Sequence, residues 1–514
     1  MRIGVPEIRE QADRIEYRAE VEWSAGAATL WYAVEKEHAG LLTDHSDAAL
    51  VGLLIPAMAA GEDIHLEGEV SERLHRTLSG PYQEVLRSII PSLRPVVIHA
   101  AAFRAPRPPA GGVATGFSGG IDSFCVLADH YYAEEPGDRK VTHLLFNNVG
   151  SHGVRGEQLF RERLTAAKLG AAEVGLPLVA VNSNLDSFYG PGIGFQQTHT
   201  PRNASVALLL QGGIGRYLYA STYAPADAVI RPWHDISCGD LVGLPMLSTE
   251  TLEAASSGSE HTRVEKTLRV ATLPVTYRIL EVCAAGAAAG NCSACLKCLR
   301  TLLTLEIAGV VDRYARVFDL ETYRRKRARY WRKVFRSRSP LVKEVVRFAV
   351  ERDHPLPWQV YASSPVHATL HLARRVVRRA PRLERLMGRS RAIVGEGARA
   401  GLVLLLATGC QSAAKYADQH TFGPMLGPCA NAMDSVEAAR GAPWKKVVGD
   451  EEDVQTGQQL FEHEWGYQLD PPSPDSVQVV RFRWESDKPG CLVDTRRARR
   501  TQGVLVLPWE EAPE

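Results

Sequence analysis

The chain has 514 residues, 45% of them hydrophobic and 23% charged, with a formal net charge of +1. That is the composition of a globular protein too long for one core, so two or three domains are expected. Nine cysteines in such a length exclude a disulfide scaffold. No run reaches the roughly 18–20 apolar residues needed to span a bilayer, and Met1–Glu7 lacks the apolar core of a secretory signal, so a cytoplasmic body is expected.

Residues 1–110 mix strand-like runs, Ile15–Trp23 and Thr29–Val34, with a helix-like run, Ala48–Ala59, and predict an α+β module of its own. The Pro-rich stretch Arg104–Pro109 reads as a linker. From residue 113 the pattern alternates: strand 113–117, helix 121–133, strand 142–147, helix 156–173, strand 177–182, then helix Ala204–Leu210 and strand Tyr217–Ser221. Alternation of this kind predicts an α/β fold, a parallel sheet with helices on both faces, and ligands beyond the carboxyl ends of its strands.

Between the first strand and first helix of that unit lies Ser118-Gly119-Gly120-Ile121-Asp122-Ser123. Two glycines allow a tight turn at positive φ, and the helix that follows presents free amides and a positive dipole end to an anion. Ser118 and Ser123 add hydroxyl donors. The spacing is neither the Walker pattern nor the dinucleotide G-x-G-x-x-G pattern. It resembles the SGGxDS signature of the PP-loop ATP pyrophosphatases, which cleave ATP between the α and β phosphates. That resemblance implies the PP-loop, adenine nucleotide alpha hydrolase-like version of the α/β fold.

Downstream, Cys283, Cys292, Cys295 and Cys298 give C-x8-C-x2-C-x2-C, enough thiolates to close a tetrahedral Zn2+ site. Four protein ligands leave no open position, so such a metal is structural, while an iron–sulfur cluster is the competing occupant. Lys297 and Arg300 lie close in sequence and would offset the tetrathiolate charge. Cys125 and Cys238 are expected in the core.

Together the loop and the cysteines resemble the 7-cyano-7-deazaguanine synthase (QueC) family over residues 111–310. Pro201-Arg202-Asn203 resembles that family's P-G-R-N segment without its glycine, and Thr262-Arg263-Val264-Glu265-Lys266 stands where the family has a Lys-Ala-Glu stretch. The resemblance implies a ligase that activates 7-carboxy-7-deazaguanine as an acyl adenylate, releasing pyrophosphate, and passes it to ammonia with loss of AMP. Carried over, Ser118, Gly119, Gly120, Asp122 and Ser123 would hold ATP and Mg2+, with Arg202 and Asn203 also on the nucleotide. Arg202, Arg263 and Lys266 would neutralise phosphate charge, Asp122 would act in catalysis through Mg2+, and His152 would serve as a base toward the amine. The four cysteines would hold zinc. Asn147–His152 and Trp233–Asp240 depart from the family's substrate segments. Enlarged QueC-like proteins are similar to those of bacterial anti-phage systems, including the Qat type, where a protein amine would replace ammonia.

Residues 324–391 carry 20 Lys or Arg against 4 Asp or Glu and read as a basic helical region, 311–395, able to meet nucleic acid. Nucleic-acid contact would favour a second reading, a PP-loop enzyme of tRNA modification; a third is a nucleotide-binding scaffold without catalysis in a defence complex. Tyr314, Tyr323, Tyr330 and Trp331 within it are expected to pack into a core. Residues 396–514 form a net acidic tail or small accessory domain. The apolar run Leu402–Cys410 is expected as a buried strand or short helix, its likeness to a lipoprotein processing site notwithstanding.

Overall fold

The computed structural model describes residues 1–355, apart from 135–136, 153–155, 191–192, 284–289 and 337–338, and six strands between 444 and 506. Met1–Pro355 form one compact unit and Leu356–Glu514 a second.

The first unit opens with β1 (Arg2–Ile3), β2 (Glu7–Glu10), β3 (Arg14–Trp23) and β4 (Gly26–Glu35), followed by α1 (Asp47–Ala60), β5 (Ile64–Val70), α2 (Glu72–Leu78), α3 (Pro81–Ile89) and β6 (Ile98–Phe103). β3 and β4 form an antiparallel hairpin from Arg14↔Glu35 to Trp23↔Gly26. In β3 the alternate residues Ile15, Tyr17, Ala19 and Val21 are buried, the period of two that pins a strand's register. Helix α1 has no polar stripe and is buried on every side over residues 47–58, ending at Gly61 with φ +70°.

The alternating segment comprises β7 (Gly112–Gly116), α4 (Ile121–His130), β8 (His143–Asn148), α5 (Gly156–Val174), β9 (Leu178–Ser183), α6 (His199–Leu209), β10 (Ile214–Ala220), α7 (Asp240–Gly243) and β11 (Glu253–Ser257). Its strands run parallel in the order β11-β10-β7-β8-β9. Right-handed crossovers in that order place α4 and α5 on one face and α6 on the other. The order reverses at β7, so the loop after β7 opens at the switch point where such sheets bind ligands.

The α/β fold is therefore present, but the sheet is mixed and larger than a parallel unit. Tyr32↔Ser183 and Ala33↔Asn182 pair β4 antiparallel to β9, and the sheet continues β4-β3-β1-β5-β6, with β2 on β3, to 11 strands. Residues 1–110 thus share one sheet with the parallel unit, and one hydrophobic cluster runs from Ile3 to Ala254.

Helices α8 (Arg263–Val270), α9 (Thr276–Ile279), α10 (Leu296–Ile307), α11 (Leu320–Arg336) and α12 (Pro340–Glu351) complete the first unit, with α10 packed on α8, α11 and α12. Tyr314, Tyr323, Tyr330 and Trp331 are buried, as expected of core aromatics, while Arg325, Lys326, Arg329 and Arg332 lie exposed on α11. No helix among the described residues is long and apolar enough to cross a membrane.

In the second unit, β12 (Trp444–Lys446), β13 (Gln458–Phe461), β14 (Glu464–Leu469), β15 (Ser476–Arg483), β16 (Leu492–Thr501) and β17 (Val504–Val506) make an antiparallel sheet in the order β12-β14-β15-β16-β17, with β13 on β14. The tail thus contains a sheet that its polar composition did not announce. Residues 356–391 of the basic segment and Leu402–Cys410 lie outside the described residues.

Candidate functional site

The loop after β7 has the form expected of it. Gly119 adopts φ +72°, a conformation that side chains disfavour, and Gly120 is extended where α4 begins. Phe124 is the first residue of the helix whose amide finds an acceptor there, the Gly120 carbonyl at 3.1 Å. The amides of Ile121, Asp122 and Ser123 precede it and by position have no intrahelical acceptor. Ser118 is exposed, and the Ser123 hydroxyl donates to Gly120 O at 3.1 Å.

Asp122 organises the charges around this turn. Arg263 Nη1 donates to Asp122 Oδ2 at 2.8 Å, and Lys266 Nζ lies 3.5 Å from Oδ1. Burial opposes ionisation of Asp122, but Arg263 and then Lys266 outweigh it and hold the carboxyl below its ordinary value. Lys266 also donates to the carbonyl and hydroxyl of Ser221 at 2.5 and 2.7 Å. Burial pulls its ammonium below the usual lysine range, with Asp122 acting in the opposite direction. The side chain of Asp122 is 31% exposed against 1% for Lys266, so the cluster opens to solvent on the Asp122 side.

The local sequence explains why both cations face one carboxylate. Thr262 Oγ1 accepts from the Glu265 amide, and Glu265 Oε2 accepts from the Thr262 amide at 2.8 Å, a capping box that fixes the start of α8. Arg263 and Lys266, three residues apart, then share a face. Ser221 and Gly258 were not foreseen. They follow β10 and β11 at the same sheet edge, and Gly258, at φ +76°, would bring a Cβ within 3.5 Å of Cys125 Sγ and 3.8 Å of Lys266 Cε.

Other expected nucleotide ligands lie elsewhere or are engaged. Arg202 is 1% exposed; its Nη1 donates to Val149 O at 3.0 Å and to Asp186, and its guanidinium stacks 3.4 Å from the Tyr189 ring centroid. None of these partners belongs to the Ser118–Ser123 loop. Gly150 makes this cage possible: at φ +106° it lies where a Cβ would collide with the Arg202 guanidinium and the Asp186 carboxylate. Gly150→Ala is therefore expected to destabilise the protein by about 2 kcal/mol or more, read as a lower midpoint in urea.

Asn203 does not start its helix. It is the fifth residue of α6, with Nδ2 on His199 O at 2.8 Å and Oδ1 accepting from Asn147 Nδ2 at 3.0 Å. His152 is buried, edge-on to Phe146 and Phe160, with Nδ1 3.1 Å from Asn148 Oδ1. Burial, then Arg163, lowers its pKa to about 4. Its contacts are with β8, α5 and the hydroxyl of the neighbouring Ser151, not with Asp122, Arg263 or Lys266.

A second polar group lies on α6, β10 and the turn before α7. His199 Nδ1 is 2.6 Å from the Tyr219 hydroxyl and Nε2 is 3.1 Å from Asp235 Oδ1, while Thr200 donates to Asp240 Oδ1 at 2.8 Å. Burial raises the Asp240 pKa to about 7, and its Oδ2 is buried without a partner. Nothing in the periodicity of residues 195–240 pointed to this group.

The four cysteines converge as their spacing predicts. Their sulfurs lie within 4.8 Å of one another, with Cys283–Cys295 at 3.9 Å and Cys292–Cys298 at 4.0 Å. A tetrahedron with metal–sulfur bonds of about 2.3 Å has sulfur–sulfur edges of about 3.8 Å, so the set could hold a metal such as zinc. Ser293 at φ +55° makes the turn, and the amides of Cys295 and Cys298 donate to the sulfurs of Cys292 and Cys295 at 3.2 and 3.4 Å. Cys125 and Cys238 are buried in the core, as expected.

Comparison with protein-family models, with curated proteins and with solved structures returns no match.

Proposed function

We propose that the chain is a carbon–nitrogen ligase that cleaves ATP to AMP and pyrophosphate, with an acyl adenylate as intermediate. The supporting observation is the Ser118–Ser123 turn at the reversal of strand order, with Asp122 set between Arg263 and Lys266. A carboxylate is a poor electrophile because it would expel oxide; adenylation gives it AMP to expel instead. The amides of Ile121–Ser123 and the Ser118 and Ser123 hydroxyls would receive the departing pyrophosphate. Arg263 and Lys266, already drawn toward an anion, would turn to its charge. Mg2+, held by Asp122 and Ser123, would neutralise the phosphates when bound.

The resemblance to 7-cyano-7-deazaguanine synthases favours 7-carboxy-7-deazaguanine as the carboxylate, with ammonia or the amine of a partner protein as acceptor. Incubation with ATP, Mg2+ and that acid is expected to release AMP and pyrophosphate in equal amounts. Release of ADP, or no cleavage, would contradict the reading. A second reading, modification of tRNA by the same adenylation chemistry, draws on the exposed Arg325, Lys326, Arg329 and Arg332 of α11. It predicts AMP release that depends on tRNA instead of the deazaguanine acid.

A further inference from the structure

We propose that Asp235, His199 and Tyr219 form a proton relay that deprotonates the attacking amine, with the Tyr219 hydroxyl as the group that touches it. The inference rests on the acyl-adenylate reading above and assigns its second half-reaction.

The geometry comes from three elements. His199 opens α6, Tyr219 lies near the carboxyl end of β10, and Asp235 stands at the turn before α7. Asp235 is held in place: its Oδ1 accepts from the Ser237 amide at 2.9 Å and hydroxyl at 2.6 Å as well as facing His199 Nε2. One neutral tautomer meets both contacts of the ring, with Nε2–H donated to the carboxylate and the Nδ1 lone pair turned to the Tyr219 hydroxyl, 2.6 Å away. The two rings stack, 19° apart in plane. Asp235 and His199 are buried whereas Tyr219 is half-buried, so the chain runs from an enclosed carboxylate toward the more open side of the group.

Tyr219 and the Asp122 cluster share one edge of the sheet. Ser221, which holds Lys266, follows Tyr219 by two residues at the carboxyl end of β10, the sheet edge on which the Ser118–Ser123 turn also opens. The amine nitrogen attacks the acyl carbon, the carbon–oxygen bond to AMP breaks, and AMP leaves with the electron pair. The nitrogen passes its proton to the Tyr219 oxygen as that oxygen's own proton moves to His199 Nδ1. Asp235 stabilises the resulting imidazolium and is a positioning residue; Tyr219 makes the contact with the amine.

The groups facing His199 are Asp235 and Asp240 from the segment after β10, Thr200 and Arg202 from α6, Phe195 from the preceding turn and Tyr219 from β10. Burial lowers the imidazole pKa, but the two carboxylates outweigh it and Arg202, so the net shift is upward. The relay needs neutral His199, so transfer to the amine should rise with pH through a value above the ordinary histidine range. Asp235→Asn should move that limb to lower pH.

The test separates the two half-reactions. Activation is followed by exchange of labelled pyrophosphate into ATP in the presence of the deazaguanine acid, and transfer by single-turnover amide formation with ammonia or hydroxylamine. Hydroxylamine is the stronger nucleophile and depends less on a base. Tyr219→Phe and His199→Gln are expected to keep exchange within about twofold and hydroxamate formation within about threefold, while transfer to ammonia falls at least about 100-fold. Unchanged ammonia transfer, or equal losses of exchange and both transfers in the two variants, would overturn the relay. Absence of exchange in the unaltered protein is a different result: it removes the acyl-adenylate reading and the relay with it.

Discussion

Asp122→Ala is expected to lower pyrophosphate exchange at least about 100-fold and to destabilise the protein by about 3 kcal/mol. Arg263 is 9% exposed and Lys266 1%, so removing the carboxylate between them leaves two buried cations facing each other. Asp122→Asn isolates the charge from the shape. Its carboxamide oxygen still accepts from Arg263, yet it cannot balance either cation, so most of both losses should persist. The sign with pH follows from the depressed Asp122 pKa. The stability it supplies is complete above the ordinary carboxyl value of 3.8 and disappears as pH falls through the lower folded value. The unaltered protein should therefore weaken at acid pH more steeply than the Asn variant, measured by urea unfolding at a series of pH values. Equal stability of all three forms would mean that the cations are compensated from elsewhere.

The residues of this cluster were legible in the sequence to different degrees, for local reasons. The turn at Ser118–Ser123 is a contiguous signal, with an apolar strand before it and an apolar helix after it, and it appears where that pattern places it. The cysteines are equally local. Arg263 and Lys266 were visible as cations, but that both reach Asp122, across 141 and 144 residues, depends on the capping box at Thr262 and Glu265, a four-residue pattern that is itself readable. Asn203 was misplaced because the apolar run Ala204–Leu210 set the expected helix to begin beside it. The helix begins at His199, and a proline in the first turn is compatible with that start. Arg202 was read as a phosphate ligand from its motif alone. Asp186 and Tyr189, which surround it, lie in an irregular turn with no periodicity to reveal it. The pairing of β4 with β9 is the least legible feature. Each strand alternates well by itself, but nothing local states that Tyr32 meets Ser183 and merges the first 110 residues into the same sheet.

Loss of a metal from the four cysteines should reach the Ser118–Ser123 turn as well as the fold. One Zn2+ per chain is expected, and Cys298→Ser should remove it and lower the melting temperature by at least about 5 °C, because a structural site contributes its binding energy to folding. The link to function is a short chain of hydrogen bonds. The Glu281 amide donates to the Gly119 carbonyl at 2.8 Å, two residues before Cys283. Asn291, beside Cys292, donates to Leu280 O at 2.7 Å and accepts from the Val282 amide at 2.8 Å, clasping the backbone on either side of Glu281. The cysteine turn therefore holds the segment that holds Gly119 in its positive-φ conformation. Asn291→Ala separates the two roles: it keeps all four sulfurs and should keep zinc by metal analysis, while pyrophosphate exchange falls about tenfold as the clasp opens. Full exchange in Asn291→Ala with zinc retained would restrict the cysteines to local stability. Visible absorption from iron in the purified protein would instead assign them to a cluster.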